Sequence, residues 1–230
     1  MNKNPEITDI FFDLDHTLWD FDKNSGLAFQ RVFQKHQIAI EIDDFLKIYE
    51  PINLEYWKLF RNEKVSKEDL RRGRLIDAFE KFSLTFPLQI IDEMADSYIE
   101  ELPVDNHLFN GAIDILDYLS KKYTLHIITN GFGEVQYKKL TNSGIINYFK
   151  TITTSEEVGL KKPNPVIFMK ALEKAAAQSN KSIMIGDSFE ADILGAENSG
   201  IYTLFFNYRN EIVPEKYRSV FSLPEIKNHL

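Results

Sequence analysis

Two aspartates one residue apart close an apolar run in Ile10-Phe11-Phe12-Asp13-Leu14-Asp15-His16-Thr17-Leu18. Carboxylates at the end of a buried segment repel each other and call for a cation. Three further places carry polar residues of a matching kind: Thr129-Asn130-Gly131, Lys161-Lys162-Pro163, and Gly186-Asp187-Ser188 with Asp192 shortly after. An oxygen-rich set without Cys or His suits a hard cation, Mg²⁺ first. An Asp carboxylate beside such an ion can attack phosphorus and form an aspartyl-phosphate, which divides a difficult hydrolysis into two easier steps. Asp13 is the candidate for that attack. Asp15, two residues on, can move toward the leaving group as acid and then base. Thr129 offers a hydroxyl, and the backbone amides of Asn130 and Gly131 suit phosphate oxygens. Lys162 adds the positive charge that phosphoryl transfer requires.

These groups need elements to bring them together. Ile7–Phe12 reads as a strand. After Gly111, helices and strands alternate: helix Ala112–Lys122, strand Thr124–Ile128, helix Glu134–Asn142, strand Phe149–Thr153 and helix Pro165–Gln178. Strand Ser182–Ile185, helix Glu190–Ser199, strand Ile201–Phe206 and a last short strand at Val220-Phe221 follow. Asn164 is placed to cap one helix, with Pro165 in its first turn. Such alternation predicts an α/β fold, a doubly wound Rossmann-like parallel sheet. Ligands of such sheets bind outside the carboxyl ends of the strands, and the candidate residues all fall at strand ends.

Residues 17–105 break the alternation and show helical spacing instead, as in Leu27, Phe29, Val32 and Phe33 or Ile90, Ile91, Met94 and Tyr98. Ser66 and Asp69 resemble a capping box before Leu70. The spacing predicts an inserted all-helical domain over 17–105, with the α/β core formed by 1–16 and 106–230.

The 230 residues are 43% hydrophobic and 13% aromatic, enough for a sizeable core. No run of apolar residues is long enough for a membrane span, and the first residues lack a signal-peptide layout. The absence of Cys excludes disulfides and fits a reducing, cytoplasmic setting. A net charge of −8 argues against polymeric nucleic acid as a partner. Gly131-Phe-Gly133 imitates only the start of a dinucleotide fingerprint.

"DLDHT", "IITNG", the Lys before Pro in "GLKKPNP" and "GDSFEAD", in this order, resemble the four motifs of the haloacid dehalogenase (HAD) superfamily. The helical insertion is similar to that superfamily's C1 cap, the part that sets substrate choice. The resemblance implies that Asp13 is the nucleophile and that Asp15 is the acid/base, whose backbone carbonyl also binds the metal. It implies Asp187 as a further metal ligand, Thr129 and Lys162 as phosphate holders, and Asp192 as the residue orienting Lys162 or a metal-bound water. Ser188 stands beside Asp192 as a supporting residue or a helix cap. Asp at position 15 separates the chain from the haloalkanoate dehalogenases, and His16 replaces the commonest glycine. Longer stretches, including "YWKLFRNEKVSKEDLRRGRL" and "GDSFEADILGAENSGI", look like the bacterial branch that hydrolyses pyrimidine and non-canonical nucleoside 5′-monophosphates. Within that likeness Arg74 is the candidate substrate contact.

The catalytic residues leave a sugar-phosphate or phosphoglycolate phosphatase, or a hexose-phosphate mutase, open as alternatives. A receiver-like phospho-aspartate signalling module is a further alternative, but it is about half as long and has no place for the helical insertion.

Overall fold

The computed structural model describes residues 6–230. They form two compact units, one running through Asp20 and resuming at His107–Leu230, the other spanning Phe21–Asn106. Thr17–Asp20 thus belong with the first unit.

In the first unit, β1 (Asp9–Phe12), β2 (Thr124–Thr129), β3 (Phe149–Thr154), β4 (Ser182–Gly186), β5 (Tyr202–Phe206) and β6 (Ser219–Val220) form one sheet in the order β3-β2-β1-β4-β5-β6. Every pairing is parallel. β1 lies between β2 and β4, with Phe12 level with Ile127 on one side and Ile185 on the other. The chain winds outward in opposite directions from β1, so a crevice opens at the carboxyl ends of β1 and β4. β1 is buried along its apolar length because helices cover both faces. Phe11, Ile128 and Met184 pack on Ile167, Phe168, Ala171 and Ala196, while Ile10 and Phe12 alternate to the opposite face.

The helices of this unit follow local signals. α5 (Ala112–Leu119) starts at Gly111, whose φ of 83° and 2.8 Å clearance for a Cβ against Pro224 both require glycine. α6 (Gly133–Asn142) follows β2, and α7 (Ser155–Val158) follows β3. α8 (Pro165–Ala175) is capped by Asn164 Oδ1, which accepts from Val166 N at 3.0 Å. It stops short of the expected Gln178 because Ala176 turns left-handed. The helix expected over Glu190–Ser199 is a wide π-type turn at Phe189–Leu194 and a short α9 (Gly195–Glu197). α5 likewise ends before the expected Lys122, and the last strand is Ser219–Val220.

The second unit holds α1 (Phe21–His36), α2 (Ile42–Arg61), α3 (Lys67–Glu80) and α4 (Leu88–Glu101), with no strand among the described residues. Phe29 stands at its centre, its ring 4.3 Å from Tyr98, 4.6 Å from Tyr49 and 4.9 Å from Phe45. Both halves of the Ser66–Asp69 capping box are present at the start of α3. Among the described residues no helix is long and apolar enough to cross a membrane.

Candidate active site

Asp13 is the first residue beyond β1. Its amide donates to Ile185 O at 2.9 Å, which continues the β4 pairing by one residue. The residue is 8% exposed, and its carboxylate accepts from Lys162 Nζ at 2.7 Å. Lys162 also donates to Ile128 O at 2.8 Å and forms an ion pair with Asp192 Oδ1 at 2.7 Å. Asn130 holds the Lys162 backbone: its Oδ1 accepts from Lys162 N at 2.8 Å and its Nδ2 donates to Lys162 O at 3.0 Å. The loop after β2 therefore fixes the loop that carries Lys162. Asp192 Oδ2 accepts from Ser188 N at 3.0 Å, and Ser188 Oγ caps the π-type turn through Ala191 N at 3.2 Å. Gly186 is a glycine because a Cβ there would lie 2.2 Å from Asp192 Oδ2.

Asp187 follows β4 and faces Thr17 Oγ1 and Arg209 Nη1, each at 3.5 Å. His16 adopts a φ of 62° and its Nδ1 meets Tyr208 OH at 3.0 Å. Burial holds the His16 imidazole well below its usual pKa, with Arg209 and Lys139 adding to the effect. Neither Tyr208 nor Arg209 carried a sequence signal that set it apart from an ordinary loop residue.

Carboxylates of Asp13, Asp187 and Asp192 offer oxygens within 4.8 Å of one another. Burial pushes Asp13 up to about 7, against the opposing charge of Lys162 and with Asp192 adding to it. Burial, then Asp13 and Asp192, pushes Asp187 well above the usual carboxylate range. Burial also works against the Lys162 ammonium, but the two carboxylates outweigh it and raise its pKa. Two buried carboxylates on this lysine and the half-buried Asp187 close by make an oxygen donor set with surplus negative charge, which fits a hard divalent cation.

Asp15 is held differently. Its Oδ1 accepts from Lys139 Nζ at 2.6 Å and its Oδ2 from Gln136 Nε2 at 3.1 Å. Gln136 Nε2 also donates to Thr129 Oγ1 at 2.7 Å, and Gly131 N donates to the same oxygen at 3.1 Å. The Gly131 amide, expected to face phosphate, is thus engaged with Thr129. Gln136 and Lys139 were missed because polar residues on an amphipathic helix normally face water.

In the helical unit, Arg71 pairs with Asp96, and Arg72 with Asp92. Arg74 is 2% exposed and donates to the neutral amide oxygen of Asn53 at 2.9 Å. Its guanidinium lies 5.1 Å from the Tyr98 ring centre, and its Nε has no hydrogen-bond partner among the described residues.

A doubly wound parallel sheet with an acidic crevice at the ends of β1 and β4 is the architecture of an α/β enzyme. The family model described as haloacid dehalogenase-like hydrolase matches residues 10–206; the chain belongs to that family and is a phosphatase. It is 32% identical over 207 residues to the pyrimidine 5′-nucleotidase YjjG of Escherichia coli, covering 90% of this chain and 88% of that one. It is 33% identical over 200 residues to a glyceraldehyde 3-phosphate phosphatase of Methanothermobacter thermautotrophicus, covering 86% and 84%. Among solved structures, the HAD-hydrolase YfnB of Bacillus subtilis, bound to magnesium, matches with a TM-score of 0.89 at 27% identity, over 98% of this chain and 99% of that one.

Proposed function

We propose that the chain is a Mg²⁺-dependent 5′-nucleotidase that hydrolyses pyrimidine or non-canonical nucleoside monophosphates through an aspartyl-phosphate on Asp13. The observation that carries the chemistry is the buried contact between Asp13 and Lys162 at the carboxyl end of β1. A carboxylate oxygen of Asp13 attacks phosphorus and the ester oxygen leaves. Lys162 and the Thr129 hydroxyl offset the charge on the phosphoryl oxygens. Asp15 gives its proton to the departing alkoxide, then takes one from the water that cleaves the acyl-phosphate. Phosphate departs and Asp13 is restored. Asp192 keeps Lys162 in place, and Asn130 fixes its backbone. Asp13 and Asp187, with the Asp15 carbonyl, would hold the divalent ion, which as a Lewis acid draws charge from the phosphoryl oxygens.

The nucleotide reading rests on the likeness to the E. coli nucleotidase, which runs through the helical unit where substrate choice is made. Arg74 is its candidate contact, a buried cation answered by a neutral amide. The comparable identity to a glyceraldehyde 3-phosphate phosphatase favours a triose or other sugar phosphate as the second reading. A matched panel of ribo- and deoxyribonucleoside monophosphates against glyceraldehyde 3-phosphate and phosphoglycolate decides. Higher kcat/KM on the pyrimidine nucleotides supports the first reading, and equal or higher values on the sugar phosphates overturn it.

A further inference from the structure

Gln136 and Lys139 stand three residues apart on α6, so they project from one face of that helix. Both are buried, Lys139 at 2% exposure, whereas the adjacent Lys138 is exposed. An ammonium taken out of water needs strong compensation. For Lys139 that comes from Asp15 at 2.6 Å and from the Trp19 ring, whose centre is 4.2 Å away.

The hydrogen-bond inventory gives Gln136 a second task. Its amide nitrogen has two hydrogens, directed at Asp15 Oδ2 and Thr129 Oγ1. Asp15 as a carboxylate only accepts, so the amide nitrogen rather than its oxygen must face it. Thr129 Oγ1 has two lone pairs, and Gln136 and Gly131 N supply a hydrogen to each. Its own hydrogen is left to point outward as a donor. Gly131 is part of the arrangement, since a Cβ there would lie 2.5 Å from the Gln136 side chain.

We propose that Gln136 and Lys139 are positioning residues of the phosphatase site: Gln136 turns the Thr129 hydroxyl toward the phosphoryl group, and both anchor Asp15 where it exchanges its proton with the leaving group. The proposal rests on the role of Asp15 put forward above. It predicts a selective defect. An alkoxide leaves poorly without a proton, whereas 4-nitrophenolate leaves without one. Lys139→Met should therefore lower kcat/KM on a nucleoside monophosphate by about 100-fold and on 4-nitrophenyl phosphate by much less, as Asp15→Asn should. The double variant should be no worse than Asp15→Asn alone, because Lys139 acts through Asp15. Gln136→Leu should show the same ester selectivity and also weaken inhibition by inorganic phosphate, which Lys139→Met should leave nearly unchanged.

Equal losses on both esters, or a double variant whose losses multiply, overturn the proposal. If Lys139→Met does not fold, Gln136→Leu carries the same comparison, and unaltered phosphate inhibition together with unselective loss refutes it. Wild-type protein inactive on both esters, or an unselective Asp15→Asn, would instead overturn the reading on which the proposal rests.

Discussion

Lys162 Nζ lies 2.7 Å from Asp13 Oδ1, a contact between side chains 149 residues apart in the chain and both almost wholly buried. The pair joins the charge that phosphate needs to the carboxylate proposed to attack it. Asp13→Asn keeps the shape and the Lys162 contact but removes the nucleophile. Steady-state kinetics should show kcat reduced by about 10⁴-fold or more, with no acyl-phosphate trapped on acid quench. The melting temperature should not fall, since the substitution relieves crowding among buried carboxylates.

Lys162→Met acts in the opposite way on stability. It leaves Asp13 and Asp192 buried without their cation. Breaking such a pair from one side costs about 3–5 kcal/mol, read as a lower urea midpoint at unchanged slope. Replacing Asp192 as well, by Asn, should recover part of that loss, while activity stays absent.

Arg74→Met tests the helical unit. The methionine retains bulk beside Tyr98 but removes the donor to Asn53 and the charge. For a charged hydrogen bond to substrate, KM for nucleoside monophosphates should rise about 10-fold or more, with KM for 4-nitrophenyl phosphate nearly unchanged. Equal shifts on both would place Arg74 outside substrate recognition.

The pH dependence of stability has a component away from the site. His126 in β2 is buried, with Nδ1 2.8 Å from Thr151 Oγ1 and Nε2 3.1 Å from Asp9 Oδ1. Burial lowers its pKa in spite of Asp9. The unfolded chain, with an ordinary imidazole near ~6.5, therefore takes up the proton first. The stability from this group is present above that value and declines as the pH falls below it. The drop in melting temperature between pH 7.5 and pH 5.5 should be larger for wild type than for His126→Gln.

The frame of the site was legible because it rests on local rules. An apolar run that stops at Asp13, the Asn164-Pro165 cap and the Ser66–Asp69 box all act within a few residues. What stayed hidden depends on contacts across the fold. Nothing local separates Lys139 from Lys138, and only docking of α6 beside Asp15 buries one of them. The π-type turn at Phe189–Leu194 was read as a regular helix because its apolar spacing is close to helical. Arg74 stood out in sequence only through resemblance; its burial beside a neutral amide is a tertiary fact.

Metal binding should depend on pH through Asp13. Burial raises this carboxyl to about 7, with Lys162 opposing and Asp192 adding. Below that value the metal-free protein holds a proton where the proposed cation would bind, so binding would displace it and affinity should weaken as the pH falls. Above it the Asp13 proton no longer competes, while the metal-free fold is less stable: a raised carboxyl pKa stabilises the fold at acid pH, and that stability is lost as the pH rises through about 7. Both effects act in one direction. Saturating Mg²⁺ should raise the melting temperature more at pH 8 than at pH 6, and EDTA should remove both the shift and the activity. Titrations in buffers of different ionisation enthalpy should show proton release on binding at pH 6 that declines toward pH 8. In Asp13→Asn the pH dependence of the Mg²⁺ shift should be smaller, because the group that links the proton to the metal is gone.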